Sequence, residues 1–319
     1  MHLAAGINPR NLSDTWNKAP GLLTQSDIRY WNRLLIPVYA TLKSENLLQY
    51  LPGSHRVILQ KRFMTFLGIQ MKQKHWILKV IELIDNLGLP VILLKGAAFD
   101  GTIYDPRYSR LSQDIDLLIK KEHMPQLLDA ISSFTYRRST DTNRLVSEKL
   151  RHEKNIPFKT DMEFNIEPHT TLHPNHFFKI RNAQLWKNSQ EHPVYRSENI
   201  RILSPEESLV YIANHSFFHL EYEPHHLVDT IRLIKRFKPD LHKSMEIARS
   251  WKCSFILACL LDQIKFWFGH TEDVQPRNPI LLRTLNYRNY LNDPLTPSRE
   301  YSGLRAQASS MILHDSYPR

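Results

Sequence analysis

Two aspartates two residues apart, Asp114 and Asp116, stand at the head of an apolar run, Leu117-Leu118-Ile119. In an extended strand, positions i and i+2 share a face, so the two carboxylates project side by side. Like charges that close repel, and the arrangement calls for a cation. Oxygen ligands together with water and phosphate suit Mg²⁺. Two such ions can clamp the attacking and leaving oxygens of a phosphoryl displacement. An Asp-x-Asp alone is common on solvated surfaces, but the apolar run that follows places this one at the mouth of a buried strand. Upstream, Val91-Ile92-Leu93-Leu94 is another buried run, and it ends in Lys95-Gly96. Glycine lets backbone N–H groups approach a phosphate closely, and lysine adds a point charge. Arg110, shortly before Asp114, is placed to meet the same phosphates.

A third carboxylate is expected from a neighbouring strand. In Asp161-Met162-Glu163-Phe164-Asn165-Ile166-Glu167-Pro168-His169, polar and apolar residues alternate. Met162, Phe164 and Ile166 face the core, and Glu163, Asn165, Glu167 and His169 face a cleft. Either Glu163 or Glu167 can be the third ligand. Pro168 cannot donate to a ladder, so pairing is expected to stop there. Sites favour strand ends, which points to Glu167, with His169 beside it as a further candidate.

The elements that position these groups follow from periodicity. Residues 1–20 carry the breakers Asn8-Pro9 and Ala19-Pro20. Thr24-Gln25-Ser26-Asp27 is a possible helix cap, with helical spacing at Ile28, Trp31, Leu34 and Leu35. A long amphipathic helix is predicted over 56–87, with Val57, Phe63, Phe66, Leu67, Met71, Ile77, Val80, Ile81 and Ile84 as its core stripe and Gly88 as its stop. Strands are predicted at 89–94, 115–119, 134–140 and 162–166, and helices at 97–104 and 123–132. Ser204-Pro205-Glu206-Glu207 starts a further helix: a serine cap, proline at the first position, acids in the first turn. Helices at 224–237 and 240–268 follow. The chain is therefore of the α+β class. A small mixed β-sheet core over 89–200 lies between a helical region over 1–88 and another over 201–319.

The run Leu94-Lys95-Gly96, Tyr104, Arg110, Asp114-Ile115-Asp116-Leu117-Leu118-Ile119 and Ile166-Glu167-Pro168-His169 resembles the uncharacterised nucleotidyltransferase family of the DNA polymerase β-like superfamily. Ala213-Asn214-His215 and Leu227-Val228-Asp229 resemble its helical C-terminal part. The resemblance implies a polymerase β-like core. It implies metal-dependent transfer of a nucleoside monophosphate from an NTP, such as ATP, to an acceptor hydroxyl or phosphate, with release of pyrophosphate. Asp114 and Asp116 would bind Mg²⁺ or Mn²⁺. Glu167 would complete the metal site and help deprotonate the acceptor. Lys95 and Gly96 would hold the triphosphate, with Arg110 and His169 assisting. The acceptor class is a small molecule, a sugar, a peptide or an RNA end. The wider superfamily usually has a serine after the glycine, gripping the terminal phosphates; here Ala97 stands there, and the lysine is expected to substitute.

Composition is consistent with this. The chain has 319 residues, 42% hydrophobic and 23% charged, enough for a sizeable core. A net charge of +10 favours anionic partners. Cys253 and Cys259 form neither a disulfide framework nor a metal pattern and read as reduced core residues, which suits a cytoplasmic protein. The N-terminus lacks the pattern of a signal peptide, and the longest apolar run, 255–261, is too short to span a bilayer.

Other signals are weaker. His215 and His219, four apart, and His225-His226 tempt a zinc reading, but structural roles fit their spacing better. Arg232, Lys235, Arg236 and Lys238 suit a helix C-terminus. The tail mixes Arg277, Arg283, Arg288, Arg299 and Arg305 with Tyr287, Tyr290 and Tyr301, an arrangement that also suits nucleic acid. Two rival functions remain: a nucleotide-sugar glycosyltransferase using Asp-x-Asp, which needs a larger nucleotide-binding domain before the motif, and a non-catalytic nucleotide-binding module.

Overall fold

The structure is a computed structural model, and it describes residues 32–112, 114–132, 137–138, 158–160, 164–173, 178–218 and 224–269. Within these residues the chain forms two compact units. One holds 32–173 with 182–203, and the other holds 178–181 with 204–269.

The first unit opens with helix α1 (Leu35–Ser44) and helix α2 (Gly53–Leu87). Leu35, Ile36, Tyr39 and Leu42 pack with Leu59 and Phe63 of α2 and with Leu111, and the Tyr39 and Phe63 rings stack with centroids 4.1 Å apart. Leu111 belongs to the segment just before Asp114, so this cluster ties the helices to the site loop. The buried side of α2 is Leu59, Phe63, Gln70, Gln73, Ile77, Val80 and Ile84, spaced by threes, fours and one seven. Val57 and Met71 do not belong to it; each is 67% exposed, on a second apolar stripe with Met64 and Leu78. Periodicity alone cannot tell two apolar stripes of one helix apart, and the buried one is marked instead by two glutamines. Gly88 ends α2 at φ 63°. Its N–H donates to the Asp85 carbonyl (3.0 Å), and that of Leu89 donates to the Ile84 carbonyl (3.2 Å), the paired bonds of a Schellman stop.

Then come strand β1 (Val91–Leu93), the one-turn helix α3 (Lys95–Phe99), strand β2 (Asp114–Ile119) and helix α4 (Met124–Ser132). Strands β3 (Arg137–Arg138), β4 (Phe158–Lys159) and β5 (Asn165–His169) follow, then helix α5 (Asn182–Asn188) and strands β6 (Gln190–Glu191) and β7 (Ile200–Ile202). The sheet order is β3-β4-β5-β2-β1-β7-β6. It is mixed: β2 runs parallel to β5 and antiparallel to β1, and β1 runs parallel to β7. The fold is thus α+β, a mixed sheet with helices before and after it in the chain.

The strand predicted at 162–166 is β5, which runs on to His169 through Pro168. Pairing does not stop at the proline: Pro168 is in register with Leu117, and His169 with Leu118. Among the described residues β4 flanks β5 at Asn165 and Ile166, and the pairing through Pro168 is with β2 on the other edge.

The second unit is helical: α6 (Pro205–Phe218), α7 (Pro224–Phe237), α8 (Leu241–Trp251) and α9 (Ser254–Phe268). Ser204 caps α6. The Glu207 N–H donates to Ser204 Oγ (3.2 Å), and that hydroxyl donates to Glu207 Oε2 (3.1 Å). The single helix expected over 240–268 is two, because Lys252 takes φ 68° and closes α8. Among the described residues no helix is long and apolar enough to cross a membrane. The possible cap at 24–27 and the tail arginines and tyrosines lie outside the described residues.

Candidate active site

The polar centre of the first unit is built on β2 and β5. In register, Asp114 stands beside Asn165 and Asp116 beside Glu167. Paired residues of parallel strands share a face, so the acids of one strand meet the polar row of the other. The apolar partners Ile115, Leu117, Ile166 and Pro168 take the opposite face and are buried. A strand enclosed on both sides carries a carboxylate into the interior, and Asp116 is 1% exposed.

Three groups surround Asp116. Lys95 Nζ lies 2.8 Å from its Oδ1. Nε2 of His169 lies 2.8 Å from the same oxygen, and Glu167 Oε2 lies 4.0 Å from that nitrogen. An ionised carboxylate only accepts, so the imidazole proton toward Asp116 sits on Nε2. Burial alone would raise the pKa of Asp116, but the Lys95 ammonium and the His169 hydrogen bond outweigh it and hold the carboxyl well below the usual range. Its other oxygen, Oδ2, is buried and has no hydrogen-bond partner among the described residues. Asn165 Oδ1 is in the same condition. Asp116, Glu167 and His169 form the only set of three histidine, cysteine or acidic side chains among the described residues whose ligand atoms all lie within 4.8 Å of one another.

Asp114 is not in that set. Its Oδ1 accepts from the Ser112 hydroxyl (3.1 Å), which also reaches the Asp114 carbonyl (3.2 Å). Burial and the neighbouring Asp116 charge push its pKa up, while Lys95 and, more weakly, Arg33 oppose the shift. An acid destabilised in this way gains from a nearby cation.

Lys95 and Gly96 open α3. Lys95 has φ 47°, a left-handed conformation that side-chained residues adopt rarely. Gly96 is needed for space. A Cβ there would lie 2.6 Å from Ser112 Oγ, 2.8 Å from Ser112 Cβ and 3.7 Å from Arg110 Nη1. Gly96, Arg110 and Ser112 therefore converge. Arg110 is buried, and its Nη1 donates to the Leu111 carbonyl (3.0 Å).

The loop carrying Arg110 and Ser112 is held from two sides. From α2, Gln73 Oε1 accepts from the Ser112 N–H (3.1 Å) and Lys74 Nζ donates to the Pro106 carbonyl (3.0 Å). Gln70, its amide nitrogen turned to the Arg107 carbonyl, accepts from the Ser109 N–H at 2.9 Å. From the segment before β7, the Tyr195 hydroxyl donates to Asp100 Oδ2 (2.5 Å), and the Ser109 hydroxyl donates to Asp100 Oδ1. Burial and Asp100 push the Tyr195 pKa up, which keeps it a donor. His192 stacks on Tyr195, and its Nδ1 accepts from the Val194 and Tyr195 N–H groups, each at 3.2 Å.

The structure therefore brings Lys95, Asp116, Glu167 and His169 together, and sets Gly96, Arg110, Ser112 and Asp114 beside them. Glu163 lies outside the described residues. Arg33, Gln70, Gln73, Asp100, Ser112 and Tyr195 carry no motif and are not singled out by the sequence; the position of Ser112, two residues before Asp114, is the one signal that could have marked it. In the second unit His215, His225 and His226 pack ring against ring, with centroids 5.6 Å apart for His215 and His226 and 4.1 Å for His225 and His226. They form no metal-binding set among the described residues.

Comparison with known proteins found no match among curated proteins and none among solved structures. A protein family described as "Uncharacterised nucleotidyltransferase" matches residues 27–269, most of the chain and both described units. With that match over the elements that build the site, the chain belongs to the uncharacterised nucleotidyltransferase family.

Proposed function

We propose that the protein is a divalent-metal-dependent nucleotidyltransferase that takes a nucleoside triphosphate as donor. The observation that carries this reading is the state of Asp116. One carboxylate oxygen meets two cationic or proton-donating groups, while the other is buried without a partner among the described residues, beside Glu167 in register. Buried acceptors are almost always satisfied, so the orphaned oxygen fits a cation. Asp116 and Glu167 would hold it, with Asp114 close by. Two carboxylates suit Mg²⁺ or Mn²⁺. When bound, such an ion neutralises charge on the reacting phosphate and lowers the pKa of an attached hydroxyl.

The chain's own groups do the rest. Lys95 and Arg110 supply positive charge to the phosphates, and Gly96, with no Cβ, lets Ser112 and Arg110 close on the turn that carries the lysine. His169 orients Asp116 through its hydrogen bond. Glu167, whose side chain is 17% exposed, takes the proton of the acceptor hydroxyl. The acceptor oxygen bonds to the α-phosphorus as the bond to the β-phosphate oxygen breaks, and pyrophosphate leaves. Catalysis is mostly positioning and charge neutralisation. The acceptor is a small molecule, sugar, peptide or RNA end, and a cytoplasmic location fits two buried cysteines in the reduced state. A nucleotide-sugar transferase is disfavoured, since the described chain before β1 is helical.

The test incubates the purified protein with each α-labelled triphosphate, Mg²⁺ or Mn²⁺, and cell extract. Pyrophosphate release and one labelled product are expected. Asp116→Asn, checked for folding by circular dichroism, is expected to lose about 100-fold or more of the rate. Unchanged turnover in that variant would sink the proposal.

A further inference from the structure

Lys95 stands where the site needs a cation. Its Nζ is 2.8 Å from Asp116 Oδ1, and its side chain is only 16% exposed. Backbone preference does not put it there, because φ 47° is a conformation that lysine rarely takes. The ammonium therefore neutralises one oxygen of a carboxylate whose other oxygen, Oδ2, lacks a hydrogen-bond partner among the described residues. Asn165 Oδ1, in register with the neighbouring Asp114, lacks one too.

We propose that Lys95 is an exchangeable counter-ion. In the metal-free protein it occupies Asp116, and a divalent cation arriving with a nucleoside triphosphate moves it from the carboxylate to the phosphates. The inference rests on the triphosphate reading above and adds a coupling to it. An ammonium and a divalent ion on one buried carboxylate repel each other strongly, because a poorly solvated site screens charge weakly. A bare divalent ion must break the ion pair and leave the lysine competing with it for the charge of Asp114. A triphosphate supplies a further counter-charge. The four-carbon stem of lysine lets its point charge swing between partners without moving the backbone. The consequence is reciprocal linkage: nucleotide tightens metal binding, metal tightens nucleotide binding, and Lys95 carries a large share of the coupling. Without nucleotide, the acid cluster is guarded against stray divalent ions.

The experiment titrates Mn²⁺ into the full chain and reads free Mn²⁺ by electron paramagnetic resonance, with and without α,β-methylene ATP. It uses wild type and Lys95→Met, with Lys95→Gln as a second neutral variant should the first fail to fold. Wild type is expected to bind Mn²⁺ weakly alone and about tenfold or more tightly with the analogue. In the neutral variant Mn²⁺ alone is expected to bind about tenfold more tightly, and the enhancement by the analogue to shrink by a similar factor. If the variant binds Mn²⁺ more tightly but keeps the full enhancement, the lysine acts only as a distant charge and the exchange is overturned. Unchanged Mn²⁺ affinity in the variant overturns it as well. A wild type that binds neither Mn²⁺ nor the analogue overturns both this inference and the functional reading, whereas coupled binding that ignores Lys95 overturns the exchange alone.

Discussion

At the scale of single residues, the site is a balance of charges that do not suit water-free surroundings. Asp116 stays ionised because Lys95 and His169 face it, whereas Asp114 is pushed toward its neutral form by burial and by Asp116. The two aspartates of one motif thus differ in character, and the difference comes from their neighbours. Gly96 shows a steric counterpart. Its missing side chain makes room for Ser112, whose hydroxyl serves Asp114. Gly96→Ala is expected to cost about 1–3 kcal/mol through overpacking. Ser112→Gly added to it removes the obstructing atoms, so the pair is expected to cost less than the sum of the two single changes. Urea unfolding of all four proteins in the cycle measures this, and strictly additive losses would refute the steric account.

At the scale of elements, α2 is the frame against which the loop carrying Arg110 and Ser112 is cast. Gln70 and Gln73 lie on its buried face, where hydrophobic residues would be expected, because backbone groups of residues 107–112 must be satisfied there. Gln73→Leu leaves the Ser112 N–H without its acceptor and is expected to cost about 1–3 kcal/mol. It also loosens the hydroxyl that positions Asp114, so nucleotidyl transfer should fall even at temperatures where the variant is fully folded. Thermal unfolding and turnover measured together check both effects; an unchanged melting temperature would mean that water replaces the glutamine at no cost. The exposed stripe of Val57, Met64, Met71 and Leu78 on the other side of α2 has no such role in the site.

At the scale of the molecule, stability should depend on pH through His192 in the first unit. Burial is the main cause that lowers its pKa to about 4, with Asp100 opposing. A depressed folded-state value means that the neutral ring is the one folding prefers. Its contribution is fully present above the unfolded value near 6.5, and it is lost as pH falls from there toward about 4. The loss is on the order of 3 kcal/mol. His192→Asn keeps an acceptor near the Nδ1 position and cannot titrate, so the stability difference between wild type and variant should change across that window. Denaturant unfolding at pH 7 and pH 4.5 checks this, and parallel losses in both proteins would remove His192 from the account. The sequence by itself determined the local things: the long helix and its glycine stop, the serine cap at Ser204, the α+β alternation, and the shared face of Asp114 and Asp116. Each depends on a period or cap a few residues long. It also carried the family resemblance, since Lys95-Gly96, Asp114-x-Asp116 and Glu167-Pro168-His169 are short runs. Register between strands that are far apart in the chain decided the rest. Only the folded sheet sets Glu167 beside Asp116, turns His169 and Lys95 onto one oxygen, carries β5 through Pro168, and joins Asp100 to Tyr195. No periodicity encodes such contacts, because they depend on which elements come to lie side by side.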